Sequence, residues 1–248
     1  MTASLRAVAP NSRRLKEMNP AELAALLADD PRLILPIGSC EPHGPHLPLG
    51  AQTLIVERLA DALSAEFGVL RAPVVEYGAL RAGARPSLGD SAVPRKTLHR
   101  LLNDLLAGWE ETGFREFILL SANDHIQHQE ALLTVVTNGA RVRVADLWSI
   151  PMSDLLTADP GPLPGGEAET SLLLHLNPAA VRLDLALDRP LDAAEYRRYR
   201  LGRLRVPGWN AGALGCPRAA SASTGRALYD RWRERIGQRL FLATAGAE

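Results

Sequence analysis

RLILPIGSCEPHGPHLPLGAQTLIVERLADALSAEF, residues 32–67, decides the fold. Its first six residues form a short apolar run of the kind shown by a strand buried on both faces. The run stops at Gly38-Ser39, and a loop rich in Gly, Pro and His follows as far as Gly50. Residues 53–67 have helical spacing, with Leu54, Val56, Leu59, Leu63 and Phe67 able to form one buried stripe. Strand, loop and helix in that order make the opening of a βα unit.

Working outward, the same alternation recurs. Asn19-Pro20, a cap with proline at the first helical position, announces a helix upstream. Residues 69–75 read as a second strand, and 78–94 as irregular chain. A helix over 95–112 ends at Gly113, which suits a left-handed cap. Residues 117–120 centre a third strand. SANDHIQH then leads into a helix expected to run to Asn138-Gly139, and 142–145 form a fourth strand. The pattern predicts an α/β fold, a mostly parallel sheet with helices on both faces, whose ligand site lies beyond the carboxyl ends of the strands.

Composition narrows the function. The chain has 248 residues, 46% of them hydrophobic, enough for one large domain over 1–248. Lys and Arg number 28 and Asp and Glu number 28, so the net charge is zero, which argues against a nucleic-acid surface. No apolar run approaches the roughly 20 residues needed to cross a bilayer. Residues 1–16 lack the apolar core of a secretory signal. Two cysteines, Cys40 and Cys216, cannot make a disulfide framework. The expectation is a cytoplasmic protein with neither membrane nor nucleic-acid partner.

Four of the six histidines, His43, His46, His125 and His128, fall in two loops that directly follow strands. Glu41 and His43 are two apart, so on extended chain both side chains point the same way and offer half a site for a divalent metal. The second loop adds Asn123, Asp124, His125 and His128. Glu167 and Glu169 open a helix after the Gly/Pro-rich stretch 161–166 and could simply favour its dipole. Taken alone an E-x-H pair is common; three polar clusters at one end of a sheet are not. Trp148, after the fourth strand, is expected to wall the pocket.

GSCEPHGPHLPLGAQTLIVERLADAL resembles the signature of the creatininase (creatinine amidohydrolase) family, G-S-x-E-Q-H-G-P-H-L-P-L-x-x-D-T. The likeness continues through RPSLGDSAV, FILLSANDHIQHQEAL, PGGEAETSLLLHLNPAAVR and GALGCPRAASASTGRALYDRW, nearly the whole chain. The resemblance implies a three-layer α/β/α sandwich, often a homohexamer, and a metal-dependent hydrolase of amide C–N bonds. It implies Glu41, His43 and His125 as metal ligands, with Glu169 near or on the metal. The ion implied is zinc first, with iron or manganese as alternatives.

The departures fall on the chemistry. Gln52 stands at the family's bridging aspartate, and an amide offers one neutral oxygen where a carboxylate offers two charged ones. Two adjacent dications need that charge, so at most a mononuclear site is expected. Pro164 replaces a histidine, Asp124 a glycine, and Ile126-Gln127-His128 a G-G-N run. Two outcomes follow. One is a hydrolase of a small amide, formamide or peptide-like substrate, with Glu169 or His128 moving the proton and Gln52, Asn123, Asp124, Gln127 and Trp148 around the substrate. The other is a pseudoenzyme that keeps the fold and oligomer, binds a small molecule or a protein, and needs no metal.

Overall fold

A computed structural model describes residues 11–79, 88–204 and 212–242. Five parallel strands form one sheet in the order β1-β3-β2-β4-β5: β1 Arg13–Arg14, β2 Arg32–Ile37, β3 Leu70–Arg71, β4 Glu116–Ser121 and β5 Arg141–Asp146. Their faces alternate, as the pleat requires. Leu33, Leu35, Ile37, Phe117 and Leu119 enter one core, while Ile34, Ile118 and Leu120 enter the other.

The first core is covered by α1 (Pro20–Asp29), α3 (Arg95–Glu111) and α4 (Ile126–Leu133), which contribute Leu26, Leu102, Leu106 and Leu132. The second lies under α2 (Ala51–Phe67), α5 (Glu167–Leu176) and α7 (Ala222–Ile236), around Ile55, Leu59, Leu172 and Trp232. A further helix, α6 (Ala193–Arg200), joins a small satellite core through Tyr199. The architecture is the expected three-layer α/β/α sandwich. Among the described residues no helix is long and apolar enough to cross a membrane.

Local chemistry explains the element ends. Asn19 accepts from the N–H groups of Ala21 and Glu22, and Glu22 returns a bond to the Asn19 N–H, a complete capping box. Gly113, at φ 117°, closes α3. Gly38 lets the end of β2 touch the start of α2, since a Cβ there would lie 2.3 Å from Thr53 Oγ1.

Three expectations are corrected. The strand expected over 69–75 shrinks to Leu70–Arg71 plus a lone bridge from Val75 to Ile37, because Pro36 of β2 has no N–H to give the Ala72 carbonyl, which accepts from Arg71 Nη1 instead. The helix expected to reach Asn138 stops at Leu133, where Thr134-Val135-Val136-Thr137, all β-branched, disfavours another turn. In α2 the buried stripe runs through Ile55, Val56, Leu59 and Leu63, and Leu54 and Phe67 lie at its margin. Residues 80–87 of the stretch read as irregular, which include the start of RPSLGDSAV, lie outside the described residues.

Candidate metal centre

The topology opens the site. From β2 the chain passes to α2 on one face of the sheet, and from β4 to α4 on the other. Loops that leave neighbouring strands on opposite faces diverge, and the crevice between them is where open α/β sheets bind ligands. Glu41 and His43 come from the β2 side of that crevice, Asn123 and His125 from the β4 side.

Glu41 is the hub. Its Oε1 accepts from Asn123 Nδ2 at 2.9 Å and lies 2.9 Å from Ser39 Oγ. His43 Nε2 is 3.7 Å from Oε1 and His125 Nδ1 is 3.8 Å from Oε2, both beyond hydrogen-bond reach. Both of those ring nitrogens are buried without a partner, and so is Glu169 Oε1. Burial pushes the Glu41 carboxyl up, but the imidazoles of His125 and His43 outweigh it and hold the group well below the usual range.

His43 is fixed from behind. Its Nδ1–H donates to Glu169 Oε2 at 2.7 Å, and the same oxygen accepts the Gly165 N–H at 2.6 Å. Burial alone would lower the His43 pKa; the charges of Glu169 and Glu41 reverse that and lift it to about 10. The Glu169–His43 pair has the form of a carboxylate that orients a metal-ligating imidazole by its far nitrogen.

The donors present are two imidazole nitrogens and a carboxylate, a set that suits zinc or iron(II). Their spacing is a few tenths of an ångström wider than the roughly 3.3–3.5 Å between ligands on one tetrahedral zinc. Among the described residues no three His, Cys, Asp or Glu side chains form a ready-made metal cage. To hold one ion, these side chains would have to draw inward around the Glu41 carboxylate. Gln52, 3% exposed, lies 2.7 Å from Ser39 Oγ through its amide oxygen and supplies no charge for a second.

The other residues expected at the site divide. Gln52, Asp124, Trp148 and Glu169 line one small cavity with Pro162, Leu163 and Pro164, about 10 Å³ in volume, room for a single water. Asp124 accepts from the Tyr199 hydroxyl at 2.9 Å, which ties α6 to this wall. Trp148 donates its Nε1–H to the Ala122 carbonyl and packs edge-on to Trp232 at 5.0 Å. Asn123 is fully buried and spends its amide on Glu41 and its Oδ1 on the His125 N–H, so it shapes the site from behind. Gln127 is partly buried on the first turn of α4 and does not line the cavity.

His128 lies behind the crevice, near enough to feel the charges of His125 and Glu41. It is fully buried, Nδ1 accepts the Ala79 N–H at 3.2 Å, and Nε2 lies 3.0 Å from Ser121 Oγ. Desolvation drives its pKa down to about 3. Both nitrogens are in use and the ring stays neutral, so the proton-carrying role expected of it has no free atom to perform it. Glu167 is likewise structural, its carboxylate held by the N–H groups of Thr157, Ala158 and Asp159 and by the Thr157 hydroxyl. Cys40 and Cys216 are free, and Cys40 Sγ lies 3.8 Å from the Gly89 carbonyl. Sequence reasoning missed Ser39, Gly165 and Tyr199. The first two sit inside quoted motifs, but nothing in the spacing joins Tyr199 to Asp124.

Comparison with known proteins identifies the family and the fold. The sequence matches the creatininase family, described as creatinine amidohydrolase, over residues 16–240. It is 31% identical over 229 residues to a mycofactocin precursor peptide peptidase of Mycobacterium tuberculosis (strain CDC 1551 / Oshkosh), covering 86% of each chain. Among solved structures, a manganese creatininase superposes with a TM-score of 0.75 at 21% identity, over 93% of this chain and 99% of that one. A mutant creatininase of Zn–Zn type gives 0.73 at 21% identity, over 92% and 98%.

Proposed function

The chain belongs to the creatininase family, and from that premise we propose that it is a metal-dependent hydrolase of a C–N bond in a small amide, formamide or peptide-like substrate. The observation that carries the reading is the pair of buried, unpartnered ring nitrogens, His43 Nε2 and His125 Nδ1, on either side of the Glu41 carboxylate. Burying polar atoms without partners costs free energy, and such atoms persist where a ligand completes them.

Glu41, His43 and His125 would hold one divalent ion, zinc first, with iron or manganese as alternatives. Solved creatininases of manganese and Zn–Zn type support a divalent ion. When bound, the ion would lower the pKa of a water to roughly 7 and polarise the amide carbonyl. The protein's own residues would do the rest. Glu169 would orient His43 through Oε2, and its unpartnered Oε1, on a residue that lines the small cavity with Gln52 and Asp124, is the group assigned to accept a proton and return it to the leaving nitrogen. Trp148 and the Pro162–Pro164 turn exclude bulk water, and Asp124, held by Tyr199, meets the substrate's polar edge. Gln52 offers a neutral amide in place of charge, so the centre is mononuclear.

Elemental analysis after incubation with zinc tests this. One ion per chain is expected, with release of formate or a new amine from a panel of formamides and short peptides. No uptake by the wild-type protein overturns the reading. The second reading, a pseudoenzyme that binds a small molecule or a protein, is favoured by the one-water cavity and by Pro164 at the position of a family histidine; absence of zinc from the protein, with no turnover of any panel member, would support it. A homo-oligomer, hexameric by resemblance, is part of the same proposal and is read by light scattering.

A further inference from the structure

The small cavity beside the metal position is lined by Glu169, Asp124 and Gln52, each one step from a proposed metal ligand. Glu169 holds His43 by Nδ1, Asp124 precedes His125 in the chain, and Gln52 shares the Ser39 hydroxyl with Glu41. The chemistry of this lining is one-sided. Glu169 is 1% exposed and its Oε1 has no partner, while Asp124 accepts from the neutral Tyr199 hydroxyl. Among the described residues no Lys or Arg lines the space, and Trp148 forms another side. Two carboxylates and an aromatic ring around one small space favour a cation.

Its size is equally restrictive. The cavity holds about 10 Å³, room for one water, and its walls are tied. Trp148 is pinned through Nε1–H to the Ala122 carbonyl and packs against Trp232. The Pro162–Pro164 turn is held at two carbonyls, Leu163 accepting the Gly166 N–H at 3.0 Å and Pro164 the Leu214 N–H at 2.8 Å. Gly165, at φ 61°, wedges the same turn against the histidine loop, since a Cβ there would lie 2.3 Å from the His43 carbonyl oxygen. Ammonium has the size of a water and donates hydrogen bonds to bare carboxylate oxygens, which an alkali ion cannot do. Methylammonium adds a carbon for which the space has no room.

We propose that this cavity receives the leaving nitrogen and is sized for ammonia, so that the substrate is a primary amide, with an unsubstituted –CONH2 group, rather than an N-substituted amide or a peptide bond. The inference rests on the hydrolase reading above for its chemistry, but cation selection by the cavity is a property of the metal-free chain. In the reaction the carbonyl carbon gains the water oxygen, the C–N bond breaks, and the nitrogen leaves with the proton that Glu169 returns. The ammonia then takes the proton of the new carboxylic acid and is held as ammonium between Glu169 and Asp124 until release.

Two readouts test this on the full chain. The first is binding by the metal-free protein. The Trp148 indole N–H resonance is followed by NMR as ammonium, methylammonium or potassium chloride replaces sodium chloride at constant ionic strength. Ammonium is expected to give a saturable shift that neither of the others gives. Asp124→Asn, which keeps the shape and removes the charge, should weaken that binding about 10-fold. No shift, an equal shift with methylammonium or potassium, or unchanged binding in Asp124→Asn overturns the proposal. The second readout is the zinc-loaded protein's preference between matched amides of one acid: kcat/KM for the primary amide should exceed that for the N-methyl amide by about 100-fold. Equal values overturn the ammonia-sized pocket and leave the hydrolase reading intact. Absence of turnover of every amide tells against the hydrolase reading instead, and the ammonium titration still decides the cavity.

Discussion

Glu167 and Glu169 stand two residues apart on the first turn of α5, both buried, and they are opposites. The Glu167 carboxylate accepts four bonds, and Asp159 answers by accepting the Glu167 N–H at 2.7 Å and the Cys216 N–H at 2.9 Å. Those backbone donors outweigh burial and keep the Glu167 pKa low. Glu169 has one oxygen doubly bonded and the other bare. A closed set of partners marks a carboxylate that holds the chain together. A bare atom beside a crevice lined by other donors is one that a bound group can complete. The histidines repeat the contrast, with both nitrogens of His128 engaged and one each of His43 and His125 left open.

The sharpest way to break this contrast is to cut one member of each class. His125→Ala should abolish zinc uptake and lower kcat/KM by about 1,000-fold or more, the scale of losing the ion's contribution. Its urea midpoint without metal should hardly move, since the side chain makes no hydrogen bond that the fold needs. Glu167→Ala should do the reverse. It strands three backbone donors and a hydroxyl, and should cost about 3–5 kcal/mol of unfolding free energy in a urea titration. Equal destabilisation of the two variants would erase the distinction.

A pH series sharpens it further. His128 has a folded pKa near 3, against 6.5 for an ordinary histidine, so the unfolded chain binds its proton more readily between those values. Stability from this group is fully present above about pH 6.5 and is lost as pH falls toward 3, on the order of 1 kcal/mol per unit. Asp159, raised to about 6 mainly by burial, works in the opposite sense between about pH 4 and 6. His128→Gln isolates the first effect: its urea midpoint should depend less on pH than the wild type's across that window. The smallest change is Tyr199→Phe, which removes one bond to Asp124 and should cost about 1 kcal/mol. It should leave zinc affinity within twofold, because Asp124 is no ligand in the arrangement proposed.

Much of this was legible in the chain. Alternating apolar runs, the Asn19 cap and Gly113 located the layers, and the polar residues after β2 and β4 located the crevice. Periodicity could not reveal where β-branched residues 134–137 would end α4, because a buried helix and a strand leave similar apolar traces. The site was half legible. Glu41, His43, His125 and Glu169 were nameable from their motifs, and the contacts that draw them together span up to 126 positions of sequence. His128 looked like a free imidazole only because its partner, the Ala79 N–H, is 49 residues away. Backbone partners of that kind leave no trace in side-chain identity.

The wedge of Gly165 on the His43 carbonyl has a consequence for how such a protein can change. Two loops from distant parts of the chain are keyed together at a point with no slack for an added atom. An insertion on either side must rebuild both at once. Diversification of the ligand would then be channelled to the opposite wall, where Asp124, Tyr199 and α6 can be rewritten one residue at a time.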